Sequence, residues 1–221
     1  MSEQDKSTAV GSEVDTKTRI LDAAEAIIRE HGIQALSLRA IAAKTGLTAP
    51  AAYRHFSGKE EILHAVIVRG YEKFQEGLAR AREGLQAPDA MLRASLRYYL
   101  QYWVQDPVSF LLMMEVNHDL GHLSGAAIRA GSFGDLPAMV ERYAQDVRAR
   151  ELHGEGLGAG THEVDLATRL LASGLQGIAM GLIAELKAEK ESRQQVSASI
   201  ERAVEFLCGA LGAFFTQAKG E

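Results

Sequence analysis

The chain has 221 residues, 47% hydrophobic and 24% charged, a globular composition that excludes a wholly disordered, collagen-like or low-complexity protein. Its single cysteine, Cys208, excludes both a disulfide framework and a multi-thiolate zinc site within one chain. The net charge of -5 is unevenly spread: residues 1–15 hold one base and four acids, residues 16–71 eight bases and five acids, and residues 72–221 fifteen bases and twenty acids, so a small basic module is joined to an acidic body.

The opening MSEQDKSTAV has acids where a secretion signal needs a basic region and an apolar run. The longest strongly apolar, uncharged stretch, between Arg169 and Glu185, is 15 residues long, short of the roughly 20 that cross a bilayer as a helix. These features lead to the expectation of a cytoplasmic chain with no membrane partner.

Apolar residues recur at helical spacing almost throughout, and no convincing alternating run marks a strand, so the fold class is expected to be all-α. Residues 1–15 are polar and aperiodic and read as a disordered tail. A first helix follows, with Ile20, Ala24, Ile27 and Ile28 on one stripe and Gly32 placed to close it. Ser37 is placed to cap a short second helix with Leu38, Ile41 and Ala42 inward, ending at Gly46. Thr48 is placed to cap a third helix running to about His55, with Pro50 tolerated in its first turn. Ser57 and Glu60 have capping-box spacing, so a fourth helix is expected from Gly58, with a stripe of Ile62, Leu63, Val66, Ile67, Tyr71, Phe74 and Leu78. Beyond Pro88, helices are expected at 89–105, 107–120, 135–152, 162–189 and 194–217. The segment Gly154–Gly160 reads as a flexible loop, because no apolar strand precedes its glycines as a dinucleotide site requires.

Two short helices joined by a tight turn at Gly46, packed on a third and followed by a long fourth, make a helix-turn-helix. The segment from Thr48 to Phe56 offers small uncharged residues where a helix must press against base edges, and hydroxyl, imidazole and guanidinium groups where phosphates would lie. Phe56 is expected in the core. Tyr53 has two readings, a ring that packs the module or one that faces DNA, with its hydroxyl exposed in either.

From Thr16-Lys17-Thr18-Arg19-Ile20-Leu21-Asp22-Ala23-Ala24, through Gly32, Leu36-Ser37-Leu38-Arg39, Ile41-Ala42, Gly46-Leu47 and Tyr53-Arg54-His55-Phe56, to Lys59-Glu60-Glu61-Ile62-Leu63, the chain resembles the TetR family of bacterial transcriptional regulators. The resemblance covers about a fifth of the chain. It implies that residues 16–63 form the helix-turn-helix DNA-binding domain and residues 64–221 a helical effector-binding and dimerisation domain. It also implies that Ser37, Thr48, Tyr53, His55 and Lys59 hold the DNA backbone, while Arg39, Ala49, Pro50 and Ala51 face base edges. The alanines carry no polar group, which leaves Arg39 as the candidate for a guanine contact. The expected function is a repressor, released by a small hydrophobic or amphipathic effector from a palindromic double-stranded DNA operator, with no cofactor. Its homodimer would set two recognition helices in successive major grooves, about 34 to 36 Å apart.

In the body, Leu171, Leu175, Ile178 and Leu182, with Leu207, Leu211 and Phe214, lie on broad apolar helical faces and are expected at a dimer interface; Leu166, Leu170 and Phe206 lie on the same two helices. Tyr99, Tyr102, Trp103, Phe110, Met113, Met114, Asn117 and His118 concentrate aromatic, thioether and polar groups in two neighbouring helices, a pocket-like composition. Gln176 joins this ligand set through similarity of Leu96–Leu100, Met113-Met114 and Gly174–Gly177 to one C-terminal subclass of the family, which often has histidine at that place. Cys208 reads as a packed small hydrophobe.

The competing reading is a metal-dependent enzyme. His118 and His122 are four apart on one helical face, with Glu115 a turn earlier, but Asp119 is a short general base and Gly121 stands near the expected helix end. A helix terminus with histidines near its negative pole explains the same residues. No P-loop or nucleophile elbow occurs, so neither catalytic residues nor a metal site are assigned. A DNA-binding protein whose body contacts another protein is a third reading.

Overall fold

The computed structural model describes residues 3–110, 135–151, 160–188 and 192–217, and every regular element among them is helical. The chain up to Gly70 forms one compact unit, and a second begins at Tyr71, within a long helix, α4 (Lys59–Arg82).

In the first unit α1 (Glu3–His31) buries Ile20, Ala24, Ile27 and Ile28, the stripe its periodicity defines. Its backbone is already helical from Glu3, where an irregular tail was expected. Helix propagation adds one hydrogen bond per residue fixed, so a proline-free segment can extend an existing helix without an apolar stripe of its own. Gly32 follows with φ 81°, and a 3-10 turn, Ile33–Ala35, leads to α2 (Leu38–Thr45). Gly46, with φ 70°, occupies the left-handed conformation that turns the chain into α3 (Ala49–Tyr53). That helix is shorter than its apolar pattern, because its last turn tightens as the amides of His55 and Phe56 both bond the carbonyl of Ala52. Ala52 and Phe56 are fully buried with Leu36, Ile41 and Ile62. Arg69 of α4 reaches back to Asp22 (2.7 Å) and Glu25 (2.6 Å) of α1, and Lys44 of α2 pairs with Glu30 at 2.8 Å.

The α4 start differs in one detail from expectation. Glu61, not Glu60, accepts from the Ser57 amide (2.6 Å) and hydroxyl (2.8 Å). Since the helix begins at Lys59, Glu61 is its third residue, where a side chain can curl back past the first turn; the capping spacing has to be counted from Gly58.

The second unit contains the C-terminal half of α4, then α5 (Pro88–Gln105), a helical stretch begun at Pro107 and described to Phe110, α6 (Leu136–Glu151), α7 (Thr161–Lys187) and α8 (Arg193–Gln217). α7 meets α5, α6 and α8. It is long and apolar enough, by length and composition, to cross a membrane, although its uncharged core stretch is short. Its inward side, Val164, Ala167, Leu171, Leu175, Ala179, Leu182 and Ile183, is packed within this unit, as in the core helix of a folded domain.

Most of the residues expected at a dimer interface are packed within this unit. Leu171, Leu175, Leu182, Leu207 and Leu211 are core residues of a single chain, and Ile178 and Phe214 are half-buried. The apolar residues left outward are Leu166, Leu170 (59% exposed) and Met180 on α7, and Phe206 (71% exposed) on α8. A helix apolar on several sides does not encode which side its own chain covers. Cys208 is fully buried, its carbonyl accepts a 2.9 Å bond from the Tyr143 hydroxyl, and burial pushes its thiol up to about 11.

Within this unit the Tyr98 phenol of α5 lies against Gly77 of α4, so that a Cβ there would collide with the phenol. Gly77→Ala is therefore expected to destabilise the protein by about 1–3 kcal/mol, against the roughly 1 kcal/mol that alanine gains as a helix former. Thermal denaturation checks this, and in a Tyr98→Ala background the same substitution should become neutral or stabilising.

Candidate functional site

The exposed side of the first unit is built from capped helix starts. The Ser37 hydroxyl accepts from the Ala40 amide (3.1 Å) and the Thr48 hydroxyl from the Ala51 amide (3.3 Å), each completing an N-cap. Acceptance uses the oxygen and leaves the hydroxyl hydrogen free to donate outward, so capping and a phosphate contact are compatible at both residues. α3 then presents Ala49, Pro50 and Ala51 with no charge among them, while Ala52 and Phe56 hold its other side to the core. Lys17 of α1 lies over the Phe56 ring, 5.4 Å from its centroid.

Of the two readings of Tyr53, the exposed one is found: 56% of its surface is accessible. A large ring held outward on a five-residue helix adds little to the core of this unit, and its phenol is free to meet a partner. Arg39, Pro50 and Thr48 are also exposed, and His55 and Lys59 half-buried.

The charges of this unit sort by partner. Among the acids of residues 16–70, Asp22 and Glu25 are held by Arg69, Glu30 by Lys44, and Glu61 by Ser57, which leaves Glu60 on the surface. Arg39, Arg54 and Lys59 form no ion pair among the described residues. The basic excess is thus concentrated around α3, because most of the acids are neutralised elsewhere. A chargeless helical front bordered by hydroxyls and unpaired cations can approach a polyanion closely without desolvating a carboxylate.

A second constellation lies in the second unit. Tyr99, Trp103 and Phe110 are buried and Tyr102 half-buried, and they gather around Phe74 of α4, which sequence reasoning had placed only on a helix stripe. The Phe74 centroid lies 5.5 Å from Trp103, 5.2 Å from Tyr102 and 6.0 Å from Tyr99, with Phe110 5.7 Å from Trp103 and Tyr98 5.6 Å from Phe74. Their signal was the recurrence of aromatic residues three and four apart on two helices that pack together. The Trp103 indole N–H is buried with no acceptor among the described residues. Beside the cluster a small cavity is walled by Phe74, Leu96, Tyr99, Leu136, Met139 and Leu175. At its polar edge Arg82 donates to Ser95 at 2.7 Å and pairs with Asp135. Burial raises the Tyr99 phenol above its ordinary value, so it stays a neutral donor. Gln176 is half-buried on α7, next to the lining residue Leu175 but not itself lining this cavity. Met113, Met114, Asn117 and His118, and the alternative Glu115, His118 and His122 group, lie outside the described residues.

Residues 20–66 match the family described as bacterial regulatory proteins, tetR family. The chain is 26% identical over 182 residues to the HTH-type transcriptional regulator UidR of Escherichia coli K12, covering 81% of this chain and 85% of that protein. It is 25% identical to the nicotine-responsive transcriptional repressor HdnoR of Paenarthrobacter nicotinovorans, over 48% of this chain and 54% of HdnoR. The fold is similar to the crystal structure of SCO4454, a TetR-family transcriptional regulator from Streptomyces coelicolor, with a TM-score of 0.66, 23% identity, and coverage of 91% and 97% of the two chains.

Two carboxylates tie the first unit together in their ionised form. The Ser57 amide and hydroxyl hold Glu61 below the ordinary carboxylate value, and Lys44 does the same for Glu30. Stability from a lowered carboxylate is present above its unfolded value, near 4.5, and is lost as pH falls through the folded one. Acid titration of helical circular dichroism should show that loss, and in the Glu61→Gln variant the acid limb should be flatter than in the parent.

Proposed function

The chain belongs to the TetR family of bacterial regulatory proteins and is a DNA-binding transcriptional regulator, and from that premise we propose a homodimeric repressor, without enzymatic activity, that leaves a palindromic operator when a small apolar effector binds its body. The carrying observation is the outward Tyr53 on an uncharged α3, bordered by cations without acidic partners. In this reading the hydroxyls of Ser37, Thr48 and Tyr53, the His55 imidazole and the Lys59 ammonium take phosphates. Lys59, as the first residue of α4, adds its charge to the positive end of that helix. Arg39, Ala49, Pro50 and Ala51 face the bases, with the alanines limited to apolar contact.

The second copy covers the outward apolar residues Leu166, Leu170, Met180 and Phe206, whose exposure in a lone chain is costly. Half-sites are then about 34 to 36 Å apart, as two-fold helix-turn-helix dimers require. The effector enters the aromatic cluster around Phe74, where the buried Trp103 N–H has no acceptor among the described residues. HdnoR is by name responsive to nicotine, which supports a small-molecule effector here without identifying it. A coupling of about 1 to 3 kcal/mol between effector and DNA is sufficient to change occupancy usefully. Such a protein works in the cytoplasm.

Duplex binding after site selection from random sequence tests the reading. Tyr53→Ala should weaken affinity about tenfold or more at unchanged thermal stability, since the ring contributes little to the core. Lys59→Ala should weaken all sequences alike and reduce the slope of log affinity against log salt by about one. Binding that ignores both substitutions would remove α3 and the α4 start from the interface. For the dimer, Phe206→Glu with Leu170→Glu should shift the sedimenting species toward monomer without unfolding it.

A further inference from the structure

The contact between α5 and α8 is a ladder whose rungs repeat every four residues on both helices. Arg93 pairs with Glu205 at 2.7 Å and Arg97 with Glu201 at 2.6 Å, so the two helices run antiparallel. Asp89, one turn before Arg93, supports the first rung at 2.8 Å. Continuing in the same register, the next rung sets Gln101 opposite Ser197, and the one after sets Gln105 opposite Arg193.

The pairing ends there. Gln105 brings a neutral amide where an acid would complete the ion pair, and no acid pairs with Arg193 among the described residues. At these same two rungs the helices enclose a groove of about 800 Å³, lined by both glutamines, Ser197 and Arg193, with Val104, Leu186 and Ile200 as its apolar surface. Among the described residues its only charged lining residue is a cation, at the positive first turn of α8. Tyr99 and Trp103 of the aromatic cluster lie on the other, buried side of α5, and the two cavities share no lining residue.

We propose that this groove is a second ligand site, which takes a small organic monoanion with an apolar body, a carboxylate on a short hydrocarbon being the simplest case. The carboxylate completes the open rung on Arg193, and the Gln101 and Gln105 amides donate to its oxygens. The hydrocarbon lies on Val104, Leu186 and Ile200. One cation and apolar walls favour one negative charge over two, because a second would be desolvated without a partner. The site requires neither DNA binding nor the effector reading of the aromatic cluster.

Calorimetric titration of the full-length protein with sodium octanoate, and with 1-octanol as the uncharged homologue, tests it. Octanoate should bind saturably, one per chain, and more tightly than octanol. Arg193→Gln should weaken octanoate about tenfold or more and leave octanol unchanged. Ser197→Trp, at an exposed lining position, should block both, and Tyr102→Ala in the aromatic cluster should affect neither. Gln105→Glu closes the rung from within, so it should weaken octanoate while raising the melting temperature of the ligand-free protein. Absence of saturable octanoate binding, indifference to Arg193→Gln, or loss in Tyr102→Ala with Ser197→Trp silent would each overturn the proposal.

Discussion

The seating of Ala52 and Phe56 in the core of the first unit is the contact on which the remainder depends. A five-residue helix has no stability of its own, since nucleating it fixes several dihedral angles for very few hydrogen bonds. α3 persists because one side of it and the residue just past its end are buried, and because Thr48 caps its start. With those points held, the direction of every other α3 side chain follows from the helical repeat, and Tyr53 has nowhere to turn but outward. The presentation of the outward α3 side chains therefore rests on apolar contacts on its other side.

The local chemistry of this unit was legible because each signal is short-range. A serine or threonine before an apolar stripe, a glycine where the chain must reverse and a proline in a first turn act over four residues, and they lie where they were expected. Less local features were not. The choice between Glu60 and Glu61 turned on a helix start one residue later than assumed. The helical extension of α1 toward Glu3 carries no apolar stripe to announce it.

In the body, periodicity identified the helices but not their neighbours. α7 and α8 are apolar on more than one side, and Leu175 and Leu211, on faces broad enough for a core or an interface, are buried within the single chain. What remained outside was a smaller set, including Phe206, which had been one member of a stripe. Phe74 shows the same limit from the other direction: its role as the hub of an aromatic cluster depends on α4 and α5 lying together, which the Gly77 notch for Tyr98 permits and no linear pattern states. Similarly, the charge sorting that leaves Arg39 and Lys59 without an acidic partner among the described residues arises from Arg69 and Lys44 capturing acids of α1, a three-dimensional subtraction from a modest basic excess.

The sealed environment of Cys208 gives the molecule a practical property. With its one native thiol enclosed and held protonated far above neutral pH, the folded protein is chemically quiet toward thiol reagents. A cysteine introduced on an exposed helix would consequently accept a spin label or fluorophore alone, without first stripping the wild-type residue. Distances between two such probes, one in each subunit of a dimer, would then report in solution how far apart the paired readers stand.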